Sequence, residues 1–372
     1  MSLLVAKIGS SSVIHPNGSL NDQAISKLCG EVAALRGQGH HVVIVTSGAI
    51  AAGLPVLGLG PKRPNRRELL RAAAAVGQIP LFRSFEQALG SHGLTGGQVL
   101  LAPTDLTERH RYLGSRETMT ALLDLGVVPI VNENDAIADD EIKFGDNDRL
   151  SALIANLVDA DTLVLLTDTA GVFTADPRHD TNATMIEEIA EIDAAVERLV
   201  GGTSSLVGTG GMASKLAAAK MATWSGVDTI IAAAEREGVL SDALHGVAGV
   251  GTVFPARDQR LSARKVWIAF ALPARGVIRV DEGARQALSE RGRSLLAAGV
   301  VGVEGPFSAE DPVDIADADG RVFAKGLASW PSDVIAANQG KRTSQTPDGL
   351  VDAVVLRDRM VLLPGVVSLG GQ

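Results

Sequence analysis

Five short, nearly unbroken aliphatic runs constrain this chain more than any other feature. They lie within residues 2–8, 41–46, 127–131, 162–167 and 227–233, typified by H-V-V-I-V-T and T-L-V-L-L-T. Each is too short for a buried helix and too apolar for a strand with one wet face. Strands of that kind occur where helices cover both faces of a mostly parallel sheet. A further strand is predicted at 98–102. Helical patterns fill the gaps. One runs from a cap at Asn21 or Asp22 to about Arg36, closed by Gly37 and Gly39. Others lie at 67–90, with breaks expected at Gly77 and Pro80, and at 115–125, 148–158 and 212–225. The expectation is an α/β fold, a three-layer αβα sandwich around a mostly parallel sheet.

The pattern changes near residue 256. The stretch A-R-D-Q-R-L-S-A-R at 256–264 has turn and charge character, so the expected division is a first domain over 1–256, a linker at 257–263 and a second domain over 264–372. The second domain reads as β-rich, with runs at 265–272, 277–280, 300–304, 312–316 and 322–327, one helix over 282–291 and a final strand within 350–363.

Composition narrows the partners. At 46% hydrophobic residues the chain has ample material for packed cores, which excludes general disorder. A net charge of −9 argues against unassisted binding to a phosphate backbone. Residues 264–345 carry 11 Lys and Arg against 10 Asp and Glu, so the second domain offers no basic cluster either. Cys29 is the sole cysteine, which excludes an internal disulfide and a cysteine-rich zinc site. The seven histidines are scattered without metal-site spacing. No signal peptide and no membrane span are expected, and a cytoplasmic protein is the default.

In sheets of this type ligands gather where strands end, and here those ends are polar or small. Lys7 precedes Gly9 and a serine run; it suits a phosphate, or caps an exposed strand end. Ser47-Gly48-Ala49 opens a helix, as an anion site or as an ordinary N-cap. G-T-G-G-M-A-S-K at 208–215 lets a backbone approach a ligand closely just before a helix, or is a flexible loop. Its spacing is not that of a Walker A loop. N-E-N-D at 132–135 and G-D-N-D at 145–148 suit an amino-acid head group, or Mg²⁺ held through water, or a pair of Asx turns with a cap at Asp146 or Asn147. No Ser–His–Asp signature accompanies Ser47.

Together these strings resemble the amino-acid kinase family, in particular its glutamate 5-kinase branch. The strings are A-K-I-G-S-S-S at 6–12, V-T-S-G-A-I-A-A-G at 45–53, A-A-V-G-Q at 74–78, V-N-E-N-D at 131–135, G-D-N-D-x-L-S-A at 145–152, L-L-T-D-x-x-G-V-x-T-A-D-P at 165–177 and G-T-G-G-M-x-S-K at 208–215. G-R-S-L-L-A-A-G-V at 292–300 and F-A-K-G-L at 323–327 resemble the PUA domain appended to bacterial members. Ala6 and Ser10 stand where the family usually has Val and often Thr. Residues 350–372 match nothing assignable.

The resemblance implies ATP-dependent phosphorylation of the side-chain carboxylate of L-glutamate, the first step of proline biosynthesis. Lys7 and Lys215 would stabilise the transferring phosphoryl group and Asp148 would hold both lysines. Ser47, Asp135 and Asn147 would bind glutamate, with Asn132 beside them. Gly9, Thr167, Asp168, Thr209, Gly210, Gly211, Met212, Ala213 and Ser214 would bind ATP with the two lysines. Mg²⁺ is the implied cofactor, with no direct ligand assigned; proline is the implied feedback inhibitor, and a homo-oligomer, dimer or tetramer, is implied. Neither lysine side chain is expected in the core. The alternatives are another family member, such as an N-acetylglutamate kinase, and an RNA-binding protein acting through the PUA-like domain, which its near-neutral charge disfavours.

Overall fold

The computed structural model describes residues 1–60, 64–106, 108–137, 147–201, 211–258, 260–271, 274–342, 345 and 353–363. The chain divides into two units, Met1–Leu261 and Ser262–Gln372.

The strands of the first unit are β1 (Leu3–Ile8), β2 (His41–Val45), β3 (Gly96–Leu101), β4 (Val128–Glu133), β5 (Thr162–Thr167), β6 (Asp228–Ala233) and β7 (Thr252–Phe254). Its helices are α1 (Ser10–Val13), α2 (Asp22–Gly37), α3 (Ala49–Val56), α4 (Arg67–Gly90), α5 (Arg109–Asp124), α6 (Asn147–Leu157), α7 (Ala194–Gly201), α8 (Met212–Trp224) and α9 (Val239–Leu244). The strands form one sheet in the order β3-β4-β2-β1-β5-β6-β7, parallel throughout except for β7 against β6. Central β1 pairs with β2 on one side and β5 on the other, Leu4 lying between Val42 and Thr162. This is the mostly parallel, helix-covered sheet that the aliphatic runs predict.

Alternation along each strand sorts the side chains. Leu4, Ala6 and Ile8 join Val164, Leu166, Ile25, Val32, Leu81 and Phe85 in one core, beneath α2, α4 and α9. Val5 and Lys7 therefore face the other way, where α6 packs on β1 and β5 and α8 packs on α6 and β6. Helix α2 starts as its sequence predicts: the Asn21 side chain accepts from Ala24 N–H. Cys29 lies buried within it, and burial pushes its thiol up to about 12.

Helix α4 runs unbroken through Gly77 and Pro80, contrary to the breaks expected there. The reason for the glycine is contact, not flexibility. A Cβ on Gly77 would lie 1.9 Å from the Ala49 carbonyl oxygen, and one on Gly53 would lie 1.9 Å from the Ala73 carbonyl oxygen. Helices α3 and α4 thus touch backbone to backbone. Helix α5 begins at Arg109 rather than near residue 115, because its first turns, R-H-R-Y-L-G-S-R, carry little apolar periodicity.

The second unit holds β8 (Gly276–Val280), β9 (Val300–Glu304), β10 (Pro312–Ala316), β11 (Val322–Leu327) and β12 (Met360–Leu362), with α10 (Ala263–Val266), α11 (Glu282–Ser289) and α12 (Ser332–Asn338). Its sheet runs β12-β11-β10-β8-β9, with β8 and β10 parallel and the other pairs antiparallel. Ile278, Val280, Val313, Ile315, Phe323, Trp330 and Ile335 build a separate core. Over its described residues, 265–271, the apolar run expected to be extended at 265–272 is helical: α10 leads into a π-helical turn at Trp267–Ala271. A short apolar run looks alike in either state, and here Val266 and Ile268 are buried in the helical one. Among the described residues of the 350–363 stretch, 353–363, Met360–Leu362 is a strand and Val355 bridges to Leu295.

Candidate active site

Lys7 is the penultimate residue of β1, on the face covered by α6 and α8. Its Nζ lies 2.5 Å from Asp148 Oδ1, while Lys215 Nζ lies 3.3 Å from Oδ2 of the same carboxylate. Asp148 is the second residue of α6, where the helix N-terminus favours a carboxylate. Lys215 stands in the first turn of α8. All three are buried, with exposures of 3%, 0% and 5% for Lys7, Asp148 and Lys215. The reading of Lys7 as a cap on an exposed strand end, and the expectation that both lysines avoid the interior, are therefore corrected. The physical reason is the shared counter-charge, without which two buried ammonium groups would be prohibitively costly.

Burial pulls the Asp148 carboxyl upward, but the charges of Lys7 and Lys215 and their hydrogen bonds outweigh it and hold the group below the usual carboxylate range. The triad thus gathers two cations around one anion. It sits at the C-terminal end of β1, at the place where the strand order turns back, since the chain moves from β1 to β2 on one side and reaches β5 on the other. Such a group attracts an anion.

A second cluster adjoins it through the neighbouring residue. Asn147 Nδ2 donates to Thr46 O at 2.5 Å, Ser47 Oγ at 2.9 Å and Asn132 Oδ1 at 2.8 Å. Asn132 in turn donates from Nδ2 to Gln78 Oε1 at 2.9 Å and accepts from Glu133 N–H at 2.9 Å. Ser47 is held at the turn after β2 by Gly48, whose φ of +106° is the left-handed conformation that glycine adopts freely. Asp135, half-buried beyond β4, shares the wall of a cavity of about 730 Å³ with Ala49, Phe82, Gln78 and Glu133. The structure therefore brings Ser47, Asn132 and Asn147 into one hydrogen-bonded cluster and sets Asp135 on the wall of the cavity that Gln78 also lines.

On the other side of the triad, Thr167 ends β5 and its Oγ1 donates to the exposed Asp168 carboxylate at 3.0 Å. Gly9 lies close to the triad: a Cβ there would meet Lys7 Nζ at 3.6 Å. Gly211 caps α8, followed by Met212, Ala213 and Ser214, and the buried Ser214 Oγ has no hydrogen-bond partner among the described residues. Thr209 and Gly210, together with Gly145 and Asp146, lie outside the described residues. Gln78 is the residue that sequence reading passes over. Its signal was a polar side chain on the buried stripe of α4, inside A-A-V-G-Q. Among the described residues, no group of three or more His, Cys, Asp or Glu converges on a metal position, and no helix is long and apolar enough to cross a membrane.

Comparison with known proteins identifies the family. The model of the amino acid kinase family matches residues 2–233, and that of the PUA domain matches residues 276–350. Curated relatives include a glutamate 5-kinase of Pelobacter propionicus, 44% identical over 364 residues and 97% of either chain. Another, from Citrifermentans bemidjiense, is 45% identical over 365 residues, and one from Paraburkholderia phytofirmans is 44% identical over 369 residues, each again covering 97% of both chains.

Proposed function

Because this chain belongs to the amino acid kinase family, and within it to the glutamate 5-kinases, we propose that its phosphorylation of glutamate runs on the Lys7–Asp148–Lys215 triad. The enzyme is a transferase of proline biosynthesis, and the N-acetylglutamate alternative is not favoured by relatives at 44–45% identity. The observation that carries the residue assignment is the buried pair of lysines sharing the Asp148 carboxylate at the sheet's C-terminal edge, placed beside a cluster of amides and a carboxylate.

The chemistry asks little of the protein beyond placement and charge. A carboxylate nucleophile is already ionised near neutral pH, so no general base is required. The γ-phosphoryl group passes from ATP to the glutamate side chain through a transition state with charge spread over its oxygens. Lys7 and Lys215 meet that charge, and Asp148 keeps the two ammonium groups in register. Asn147 and Asp148 are consecutive at the start of α6, so one helix end fixes the amino-acid half and the phosphate half of the site together. Ser47, Asn132, Asn147 and Asp135 take glutamate. Gly9, Thr167, Asp168 and the segment comprising Thr209, Gly210, Gly211, Met212, Ala213 and Ser214 take the nucleotide. Mg²⁺ bound with ATP would supply further positive charge; Asp148 is committed to two lysines, and no residue of this chain is assigned to hold the ion. Proline, which keeps the α-carboxylate and a cationic nitrogen but lacks the side-chain carboxylate, occupies the glutamate half in this proposal. A cytoplasmic homo-oligomer completes it.

The test is kinetic. Lys7→Ala and Lys215→Ala should each lower kcat by about 10²–10³-fold, the usual cost of one contact to developing charge, with a smaller effect on KM for glutamate. Wild-type turnover in both variants would sink the assignment. Glutamate and N-acetylglutamate offered side by side to the unmodified enzyme check the substrate.

A further inference from the structure

We propose that Gln78 is a positioning residue for the amino-acid half of the site: its side-chain oxygen holds the Asn132 carboxamide, and through it Asn147, in the orientation that receives the substrate. The inference rests on the reading that Asn132 and Asn147 bind glutamate.

The polarity of the amide cluster follows from its two backbone contacts. Glu133 N–H can only donate, so the atom of Asn132 facing it at 2.9 Å is Oδ1. The Thr46 carbonyl can only accept, so the atom of Asn147 facing it at 2.5 Å is Nδ2. Asn147 Nδ2 also reaches Asn132 Oδ1 at 2.8 Å. Asn132 Oδ1 thus receives two donors, and its Nδ2 must turn the other way, to Gln78 Oε1 at 2.9 Å. Asn147 has two amide hydrogens and three inward oxygens to meet, from Thr46, Ser47 and Asn132. Its Oδ1 is therefore the atom left to accept from the ammonium group of an amino acid.

Burial makes the Gln78 contact matter. Asn132 is 1% exposed and Gln78 8%, so bulk water does not stand in for a lost acceptor. An amide donor stranded there costs its full desolvation, and the Asn132 carboxamide relieves it by turning away from Asn147. The backbone around Gln78 is fixed as well. Its neighbour Gly77 is pressed against Ala49, in the helix that begins just after Ser47 and Gly48. The element carrying Gln78 and the turn carrying Ser47 are locked together, and Gln78 borders the same cavity as Asp135.

Steady-state kinetics on the full chain tests this. Gln78→Leu keeps the bulk and removes the acceptor. KM for glutamate should rise about 5–20-fold, the cost of one buried hydrogen bond, while KM for ATP and kcat stay within about twofold. The double variant Gln78→Leu/Asn132→Ala should be no worse than Asn132→Ala alone, since a residue acting through Asn132 has nothing left to act on. Effects that multiply would show Gln78 working as packing only, and would overturn the proposal; so would an unchanged KM. Gln78→Glu, which retains an oxygen for Asn132 Nδ2, should lie closer to wild type than Gln78→Leu. It also keeps the test open if Gln78→Leu does not fold, because a KM as high as that of Asn132→Ala would then overturn the proposal. Asn147→Ala separates the two levels of the argument. If it leaves KM for glutamate unchanged, the reading of the site fails; if it raises KM and Gln78→Leu does not, the reading stands and the role of Gln78 fails.

Discussion

Asp148 holds two ammonium groups at once, so its removal differs in kind from removal of either lysine. Lys7→Ala or Lys215→Ala removes one of the two lysine contacts of the carboxylate, whereas Asp148→Asn takes the shared carboxylate charge from two buried cations at once. Breaking a buried pair by removing one partner typically costs about 3–5 kcal/mol, and Asp148→Asn should reach that range in urea or thermal unfolding at neutral pH, with activity lost as well. The contribution also has a pH signature. The folded-state carboxyl sits below its ordinary value of 3.8, so its stabilisation is complete at pH well above 3.8 and fades as pH falls through and below it. Unfolding curves of wild type and Asp148→Asn should therefore converge in acid and stay apart at neutral pH; a gap independent of pH would contradict the charge argument. At this scale the sequence is partly legible. Lys7, Ser47, Asn132 and Thr167 stand out because polar residues that end aliphatic strands must lie at the sheet edge. The contact itself does not stand out: Lys215 and Asp148 are 67 positions apart, and nothing local encodes their meeting.

Helices α3 and α4 show why a residue type can be read and its purpose missed. Gly77 and Pro80 read as breaks, since both weaken a helix interior. The helix nonetheless continues, because the same lack of a side chain that weakens it lets another backbone approach. Only the partner, Gly53, reveals which role applies, and partnership is a tertiary fact. Gly77→Ala should force the helices apart, destabilising by about 1–3 kcal/mol as overpacking does, and should raise KM for glutamate because Gln78 sits on α4 and Ser47 in the turn that leads into α3. Gly90→Ala, near the end of the same helix with nothing within 4 Å of the added Cβ, is the control and should be neutral or slightly stabilising.

The two units have separate cores, and each catalytic group named above belongs to the first. A chain truncated after Leu261 should therefore phosphorylate glutamate. One truncated after Ala256 should do so less stably. It loses Arg257 N–H to Thr223 O, Leu261 N–H to Trp224 O, Arg260 Nη2 to Gly226 O, and the Arg257 guanidinium 4.3 Å above the Trp224 ring. Three hydrogen bonds and one cation–π contact are together worth about 2–4 kcal/mol, a difference visible in the melting temperatures of the two truncated chains. Equal melting temperatures would show that these residues act as a free tail. For the intact chain, glutamate titrations at fixed proline with ATP saturating should show a rising apparent KM at constant kcat; loss of kcat at constant KM would place proline elsewhere.

The strand order has a consequence for synthesis of the chain. β1 is the first strand made and lies in the middle of the finished sheet, between β2 and β5. Its β2 side is available once residue 45 emerges, but the other side waits for β5, which starts at residue 162. At ribosomal rates of about 5–20 residues per second that interval lasts roughly 6–24 s. Throughout it, two aliphatic parallel strands present an open, hydrogen-bonding edge, the feature by which neighbouring nascent chains aggregate. A strand that is central in the native sheet is thus left open on the ribosome, so slower production at lower temperature, with chaperones abundant, favours soluble enzyme.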